Sequence, residues 1–290
     1  MQKNRANRVI PPHQVSHHLD RLAKPYLIWL YVLALFPMLF MFFMMFIDSE
    51  GVSLPFTPTI DNLSILTEYS TLVALWNSIK FAILTTIICI FFGMLIAYSL
   101  YKSKIKNKYL VLLLLILPMW TNFLLRINAI ASMFQSENIV ASIFGVKGYN
   151  FLKTDFGTDV AILAGMVFTY LPFMVLPIYT SLEKIDPLLH EAALDLGLTD
   201  FKKFWKVIVP LSLKGIISGS ITVLLPCLSG FAIPSVISEG KVMLIGNIIE
   251  TSFKNMDYNG GSVLAILLLI IILTTIFIIN KNDKEGESLI

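Results

Sequence analysis

Acidic and small side chains recur at fixed spacing in the segment HEAALDLGLTDFKKFWKVIVP, which lies between two apolar runs. Glu191 and Asp195 are four residues apart, so a helix would place both carboxylates on the same surface. Three residues beside them have small side chains, which would let a partner approach that surface closely: Ala192, Ala193 and Gly197. Carboxylates on a surface that a partner can approach closely would suit the docking of another molecule, and we call residues 190–210 the docking segment.

Common catalytic and metal-binding motifs are missing from the sequence. It has no GxxxxGK(S/T) phosphate loop, so the chain is not expected to bind and hydrolyse ATP by itself. HExxH, CxxC and GxSxG do not occur either. Cys89 and Cys227 lie in apolar runs, where they are expected to pack and not to form a disulfide. His13, His17 and His18 cluster near the N-terminus, but a solvated basic tail explains them better than a metal site.

The docking segment has the local signals of two helices. Asp186 and Pro187 suit an N-cap and a first helical position, Gly197 suits the left-handed residue that ends a helix, and Thr199 suits a second N-cap. Both helices carry an apolar face: Leu188, Leu189, Ala192, Ala193 and Leu196, then Phe201, Phe204, Trp205 and Ile208. The lysines of the second helix are expected to face water or lipid headgroups: Lys202, Lys203 and Lys206. Such a hairpin either docks a partner or lies on the membrane surface, and the residues alone leave both open.

Membrane-spanning helices must carry this segment. The 290 residues are 56% hydrophobic and 14% charged, with a mean hydropathy of +0.77, which is far more apolar than soluble domains. Crossing a bilayer as helix takes roughly 20 apolar residues, and the sequence contains runs of that length. We predict an all-α integral membrane protein with six transmembrane helices, at approximately 25–47, 73–101, 109–133, 158–182, 212–236 and 260–280.

A basic tail, residues 1–24, precedes the first span, as it would in a signal peptide. The apolar stretch that follows is about 23 residues long and ends in FIDSEG, without an A-x-A-like cleavage site. We therefore expect an uncleaved anchor.

Lysine and arginine are unevenly distributed between the loops, which orients the spans. Sixteen lie in the N-terminal tail, the link 102–108, the segment 183–214 and the C-terminal tail 281–290. Four lie in the intervening loops: Lys147, Lys153, Lys241 and Lys254. The alternation holds for all six spans, so both termini and the loop 183–211 are predicted to be cytoplasmic.

Prolines interrupt three of the predicted spans: Pro118 in the third, Pro172 and Pro177 in the fourth, and Pro226 and Pro234 in the fifth. Each removes an amide donor, which is tolerable only where neighbours or water satisfy the freed carbonyls. Kinked helices around a cavity suit a transporter, although proline is common in membrane helices generally.

The docking segment resembles the EAA motif of ABC importer permeases, EAA-x3-G-x9-I-x-L-P. Glu191-Ala192-Ala193 and Gly197 match its first part, and Val207-Ile208-Val209-Pro210 matches its end, with valines in place of isoleucine and leucine. The resemblance implies the type I permease fold with six helices. In that fold the cytoplasmic loop, 183–211 here, docks in a groove on a separate ATP-hydrolysing subunit. Asp195 and Leu196, inside the motif, share this coupling role.

Several stretches resemble the polyamine permeases of this family more specifically: LPMWTNFLLRI (117–127), YLPFMVLPIYTSLEKID (170–186), EAALDLG (191–197) and LIGNIIETSF (244–253). This resemblance implies import of spermidine or putrescine across a bacterial cytoplasmic membrane. The implied partners are a dimer of ATP-binding subunits, a second permease subunit and an extracellular or periplasmic polyamine-binding protein. ATP and magnesium would be held by the ATPase and no cofactor by this chain, which contacts lipid and no nucleic acid.

A path for such a cargo calls for oxygens to meet its ammonium groups and for aromatic faces to meet ammoniums and methylenes. The candidates lie within or beside the spans: Trp120, Asn122, Tyr170, Ser229, Glu239, Glu250 and Asp257. Packing aromatics and solvated loop charges are the alternative explanations. Arg126 would repel the cargo, so we expect it to reach the headgroups or to pair with an outer acid, as a gate or a structural ion pair. Lys80 has the same explanation.

Other functions are compatible with parts of this pattern. Related permeases with the same loop import ferric ion, sulfate, molybdate or thiamine. A secondary transporter driven by an ion gradient would need a membrane-embedded carboxylate and an internal repeat, and the sequence shows neither clearly. A membrane enzyme fits least, because the cytoplasmic segments hold no paired aspartates and no metal-ligand set.

Overall fold

The chain is predominantly helical in this computed structural model, which describes residues 25–48, 57–134, 152 and 154–282. The basic N-terminal tail with its three histidines, the outer-loop residues Lys147 and Lys153, and the C-terminal tail beyond 282 lie outside the described residues.

The helices within these ranges are numbered in chain order: α1 (Pro25–Met44), α2 (Tyr69–Lys102), α3 (Lys108–Ile116), α4 (Phe123–Met133), α5 (Asp155–Glu183), α6 (Pro187–Asp195), α7 (Asp200–Leu211), α8 (Leu213–Ser229), α9 (Ala232–Ser238), α10 (Ile245–Lys254) and α11 (Tyr258–Asn282). Short 3-10 helices cover Asp61–Thr67 and Leu117–Trp120. The strands β1 (Ile47–Asp48) and β2 (Thr57–Pro58) pair antiparallel beside the end of α1.

Four helices of the described chain are long and apolar enough to cross a membrane: α1, α2, α5 and α11. Two further pairs, α3 with α4 and α7 with α8, pass the same test only if each bent pair counts as one span. The structure therefore has four to six spans by length and composition. Every one of these helices falls in or beside an apolar run of the sequence, because a helix in lipid must satisfy its own backbone and present apolar side chains.

The third predicted span, 109–133, is broken and not merely kinked. α3 continues into the 3-10 turn Leu117–Trp120, and α4 leaves that unit at 91°. Pro118 in the turn lacks the amide that an α-helix would need there. The Asn122 side chain then starts α4 by accepting two of its backbone N–H groups, at 3.0 and 3.4 Å. The predicted single helix is thus two half-helices that meet at an exposed turn.

The fifth predicted span, 212–236, is also discontinuous. α8 ends at Ser229, Gly230 has an extended backbone, and α9 is a separate short helix. A Cβ at Gly230 would lie 2.7 Å from the Pro226 carbonyl oxygen, so this exit from α8 requires glycine. At its other end α8 meets α7 at 66° beside Ser212.

Close backbone contacts hold α2, α5 and α8 together as the packed centre. A Cβ at Gly215 would lie 2.5 Å from the Pro177 carbonyl oxygen, and a Cβ at Gly219 would lie 2.7 Å from the sulfur of Met174. Gly93 of α2 meets the same methionine. Lipid is as apolar as a protein core, so helix association in membranes depends on such close packing. These three helices therefore form the tightly packed centre of the described chain.

Candidate functional site

The docking segment folds as α6, which we call the docking helix, followed by a glycine turn and α7. Asp186 caps α6, its Oδ1 accepting the Leu188 N–H at 2.9 Å, and Pro187 occupies the first turn. Thr199 caps α7, its hydroxyl oxygen accepting the Lys202 N–H at 3.4 Å. Both helix starts are therefore fixed by side chains adjacent to the motif.

A left-handed glycine ends α6. Gly197 has φ +74°, a conformation that costs glycine little and other residues more. Its N–H donates to the Leu194 carbonyl at 2.8 Å, and the Leu198 N–H donates to the Ala193 carbonyl at 3.2 Å. These two bonds are the Schellman arrangement. The glycine of the motif thus turns the chain sharply enough for α6 to protrude and α7 to return.

Most of the motif on α6 faces outward. Leu196 is 82% exposed, and Glu191, Ala192 and Asp195 are exposed as well, whereas Ala193 is 4% exposed and faces the chain. The apolar face predicted for this helix is therefore largely unused within the chain. Two carboxylates, a small residue and a leucine remain available to a partner.

The return helix α7 is anchored to the membrane part of the protein. Ile208 is fully buried, and the Phe204 ring lies 4.9 Å from the Tyr98 ring of α2. Lys203 is only 6% exposed, and its ammonium lies 3.0 Å from the Asp200 carboxylate. The prediction that Lys203 faces water or lipid headgroups is wrong, because this ion pair allows its burial.

Trp120 and Asn122 occupy the turn at which the third span breaks. Trp120 is 88% exposed, so no described part of the chain covers its ring. Asn122 is exposed too, but its Oδ1 is engaged as the cap of α4. The turn therefore presents an aromatic face that is open to another molecule and an asparagine with a structural task.

Arg126 bonds to this turn. Its Nη1 donates to the Pro118 carbonyl at 3.1 Å, beside the Thr121 hydroxyl, which donates to the same oxygen at 2.6 Å. The guanidinium lies 5.6 Å from the centre of the Phe123 ring. Among the described residues, no carboxylate lies within ion-pair distance of Arg126. Arg126 therefore holds the bend in this structure, and its role as a gate or in an ion pair with an outer acid stays a prediction.

Tyr170 and Ser229 come together where α8 ends. Tyr170 is buried, and its hydroxyl faces the Gly230 position. The Ser229 hydroxyl donates to the Leu225 carbonyl at 3.2 Å, and the Ser229 carbonyl packs against Gly246 of α10, where a side chain would not fit. α10 therefore sits directly on the break between α8 and α9.

Asn247 fastens α10 into this break, although the only signal that could have selected it is an amide inside the apolar stretch LIGNII. Its Oδ1 accepts the Leu244 N–H at 2.9 Å, and its Nδ2 donates to the Phe231 carbonyl at 3.0 Å and the Ser235 hydroxyl at 2.5 Å. The Ser78 hydroxyl of α2 accepts the backbone N–H of the first residue of α10 at 2.8 Å. The start of α10 is thus tied to both α2 and α9.

Ser229 and Glu250 line one cavity of about 510 Å³, between α8, α10 and α11. Phe231, Phe253 and Lys254 are also among its lining residues. The Glu250 carboxylate lies 2.6 Å from the ammonium of Lys254, one helical turn further on. Two of the candidate path residues, Ser229 and Glu250, therefore lie at the same largely apolar cavity.

Glu239 and Asp257 are not among the residues that line this cavity. Glu239 is exposed and has φ 52° at the end of α9. Asp257 starts α11, its Oδ1 accepting the Gly260 N–H at 2.9 Å. The structure gives the first a place in a turn and the second the role of a helix cap.

Lys80 forms an ion pair that joins α2 to α5. Its Nζ lies 2.8 Å from Asp159 Oδ2, with each side chain about one third exposed (32% and 35%), and 4.6 Å from the centre of the Phe81 ring. Asp159 stands at the start of its span, where the sequence suggested only a boundary. The pair neutralises a lysine inside an apolar helix.

A second cavity, of about 580 Å³, opens between α5 and α8 next to the docking helix, and Lys184, Asp186, Leu189 and Lys214 are among its lining residues. In the part of the chain that the structure covers, no three His, Cys, Asp or Glu side chains are grouped to hold a metal ion. Cys89 and Cys227 are buried free thiols.

Residues 90–282 match the family described as binding-protein-dependent transport system inner membrane component. The chain is similar to the spermidine/putrescine transport system permease protein PotB of Haemophilus influenzae, with 34% identity over 269 residues that cover 88% of this chain and 91% of that protein. Escherichia coli K12 PotB is also 34% identical, over 227 residues that cover 77% and 82% of the two chains.

The fold is similar to that of a solved bacterial ABC transporter involved in the import of the acidic polysaccharide alginate. The TM-score is 0.78, with 94% of this chain and 97% of that chain covered at 15% identity. The docking helix, the broken spans and the cavity of Ser229 and Glu250 all lie inside the matched residues 90–282. With this match and one-third identity over most of its length, the chain belongs to the binding-protein-dependent transport system inner membrane components, the permeases of ABC importers.

Proposed function

We propose that the chain is the permease subunit of an ATP-driven importer that carries spermidine or putrescine into the cytoplasm. The observation that carries the proposal is the exposed, glycine-terminated docking helix in a chain 34% identical to a PotB permease over 88% of its length. The sequence has no phosphate-binding loop of its own. Energy must therefore come from a partner that this helix can reach.

The proposed assembly contains a dimer of ATP-binding subunits, a second, PotC-like permease and a polyamine-binding protein on the outer side of a bacterial cytoplasmic membrane. ATP and magnesium belong to the ATP-binding subunits. The four long helices and the two bent pairs are compatible with six spans, with α7 at the cytoplasmic edge of the last bent pair. The lysine and arginine distribution supports cytoplasmic termini and a cytoplasmic α6–α7 hairpin. ATP binding draws the docking helices of the two permeases together, and the spans then switch between outward and inward access.

The cavity of Ser229 and Glu250 supports a cationic, methylene-rich cargo. A polyamine alternates ammonium groups with apolar links, and the residues that line the cavity include the carboxylate of Glu250, its partner Lys254, and the aromatic residues Phe231 and Phe253. Glu250 already accepts a primary ammonium, that of Lys254 at 2.6 Å. We place the cargo path along this cavity and the exposed Trp120.

Reconstitution tests the proposal. Proteoliposomes that contain this chain, the second permease and the ATP-binding subunits should take up labelled spermidine only with ATP and the binding protein present. Uptake by this chain alone under an ion gradient would show that it is a secondary transporter. Competition by unlabelled putrescine, sulfate or ferric ion identifies the cargo class.

A substitution at the docking helix completes the test. Gly197→Glu forces a side chain into a left-handed turn on the docking surface, so ATP-binding subunits should no longer co-purify and uptake should be lost while the chain stays in the membrane. Gly240→Glu is the matched control, since Gly240 has φ +82°, also lies in open space and is far from the hairpin in sequence. Normal uptake by the Gly197 variant would contradict the docking role.

A further inference from the structure

We propose that five residues, Tyr98, Lys102, Asp200, Lys203 and Phe204, form a cytoplasmic clamp that transmits the movement of the docking helix α6 to the spanning helix α2. The inference rests on the proposed function, because the movement to be transmitted is imposed by the ATP-binding subunits. It adds a second route to the chain connection from α7 into α8.

An aromatic contact forms the centre of the clamp. The rings of Tyr98 on α2 and Phe204 on α7 are 4.9 Å apart and tilted by 58°, within the range of attractive ring pairs. Both side chains also pack against the main core cluster. Trp205 lies edge-on to Phe204 at 5.3 Å. A displacement of α7 is therefore passed directly to α2, although the two rings are more than one hundred residues apart in sequence.

Charged groups of α2 and α7 add a second contact between these two helices. Asp200 Oδ1 lies 3.0 Å from the ammonium of Lys203 and 3.7 Å from that of Lys102 at the end of α2. The Lys203 hydrogen bond and the nearby Lys102 charge hold the pKa of the Asp200 carboxyl below its usual range. The carboxylate therefore stays ionised throughout the physiological pH range, and the link between α7 and α2 stays charged.

The backbone of α7 changes its winding at the clamp. Phe204–Ile208 forms a π-helical turn, a type that is often found at functional sites. Ile208 at its end is fully buried, and the Ser212 hydroxyl beyond it lies 3.9 Å from the Met94 sulfur of α2. The wide turn presents Phe204 to α2 while the following residues enter the core. α7 thus contacts α2 just before the chain bends into α8.

The far end of α2 connects the clamp to the outer cavity. Ser78 accepts the first N–H of α10, and the Asn77 side chain donates to the Met243 carbonyl at 3.3 Å. Twenty residues separate Ser78 from Tyr98, which is about 30 Å along a helix. α2 is therefore a rigid rod with the docking hairpin at one end and the α10 wall of the Ser229–Glu250 cavity at the other.

Removing the ring tests the clamp. In the reconstituted transporter, Phe204→Ala should retain the ATP-binding subunits and their ATP hydrolysis but lower polyamine uptake about tenfold, within the range for residues along a coupling route. Phe91→Ala is the matched control, because Phe91 is the same residue type on α2, is 58% exposed and lies outside both the clamp and the docking segment. Its uptake should stay within about twofold of the unmodified chain.

A charge substitution tests the clamp without opening the core. Lys102 is exposed, so Lys102→Glu should fold normally, repel Asp200 and lower uptake about two- to fivefold, whereas Lys102→Arg should preserve it. Lys104→Glu, exposed in the same loop, should have no effect. The Lys102→Glu result decides the matter if Phe204→Ala does not accumulate in the membrane.

Two outcomes overturn the clamp. One is normal uptake in both Phe204→Ala and Lys102→Glu, and the other is loss of uptake only through loss of the ATP-binding subunits. Neither bears on the proposed function as long as the unmodified chain transports. Absence of ATP-dependent uptake in the unmodified assembly would instead remove the proposed function itself.

Discussion

Glu250 places one carboxylate at a cavity whose other described walls are mainly apolar. This carboxylate can accept a hydrogen bond from an ammonium, and the charges make that bond stronger than one between neutral groups. Its present partner, the Lys254 ammonium, is largely exposed and belongs to the same helix. A cargo ammonium can therefore take its place without leaving a buried charge behind.

Neutralising this carboxylate should weaken cargo binding. Glu250→Gln keeps the shape but removes the charge, and a charge-assisted hydrogen bond contributes about 1.5–3 kcal/mol. We expect the KM for spermidine uptake to rise about tenfold or more with less effect on the maximal rate. Glu68→Gln, an exposed acid before α2, serves as the control. An unchanged KM would remove Glu250 from the path.

The broken third span is the clearest feature at the scale of elements. Two half-helices at 91° leave a turn whose carbonyl is satisfied by Arg126 and Thr121 and whose next helix is started by Asn122. Turns of this kind are tolerated at membrane depth only where protein or water surrounds them. We therefore expect protein or water, and not lipid, to surround the exposed turn at Trp120.

Asn122 separates a structural from a cargo role for this turn. Asn122→Ala removes the cap of α4, so the free energy of unfolding should fall by about 1 kcal/mol, while Asn122→Ser should retain most of it. Thermal unfolding in detergent measures the difference. Lower uptake with unchanged stability in the alanine variant would place the amide on the cargo instead.

Sequence patterns located the elements better than their breaks. α2 covers Tyr69–Lys102 where hydropathy suggested 73–101, because a long apolar run leaves a lipid-facing helix few alternatives. Hydropathy does not show where a helix breaks and the chain changes direction, so the spans alone predict neither the 91° break nor the end of α8 at Gly230. The caps of the docking hairpin follow from local rules at Asp186 and Gly197. The cavity depends on tertiary contacts between distant residues, which spacing alone does not reveal.

At the scale of the whole molecule, the three-helix centre has no room for added atoms. Gly215→Ala would place a methyl group against the Pro177 carbonyl, and backbone cannot swing aside as a side chain does. We expect a loss of about 1–3 kcal/mol in the free energy of unfolding. Ser218→Ala on the same helix removes atoms at a half-buried site and is the control. Equal thermal stability of both variants would contradict this packing.

The exposed leucines in α6 and directly after it predict how the proposed complex with the ATP-binding subunits responds to temperature. Leu188, Leu194 and Leu196 are 66%, 50% and 82% exposed, so docking removes mainly hydrocarbon from water. Association of that kind carries a negative heat-capacity change and weakens on cooling, while added salt affects only the contribution of Glu191 and Asp195. We therefore expect cooling to weaken the affinity of this chain for the proposed ATP-binding subunits more than added salt does.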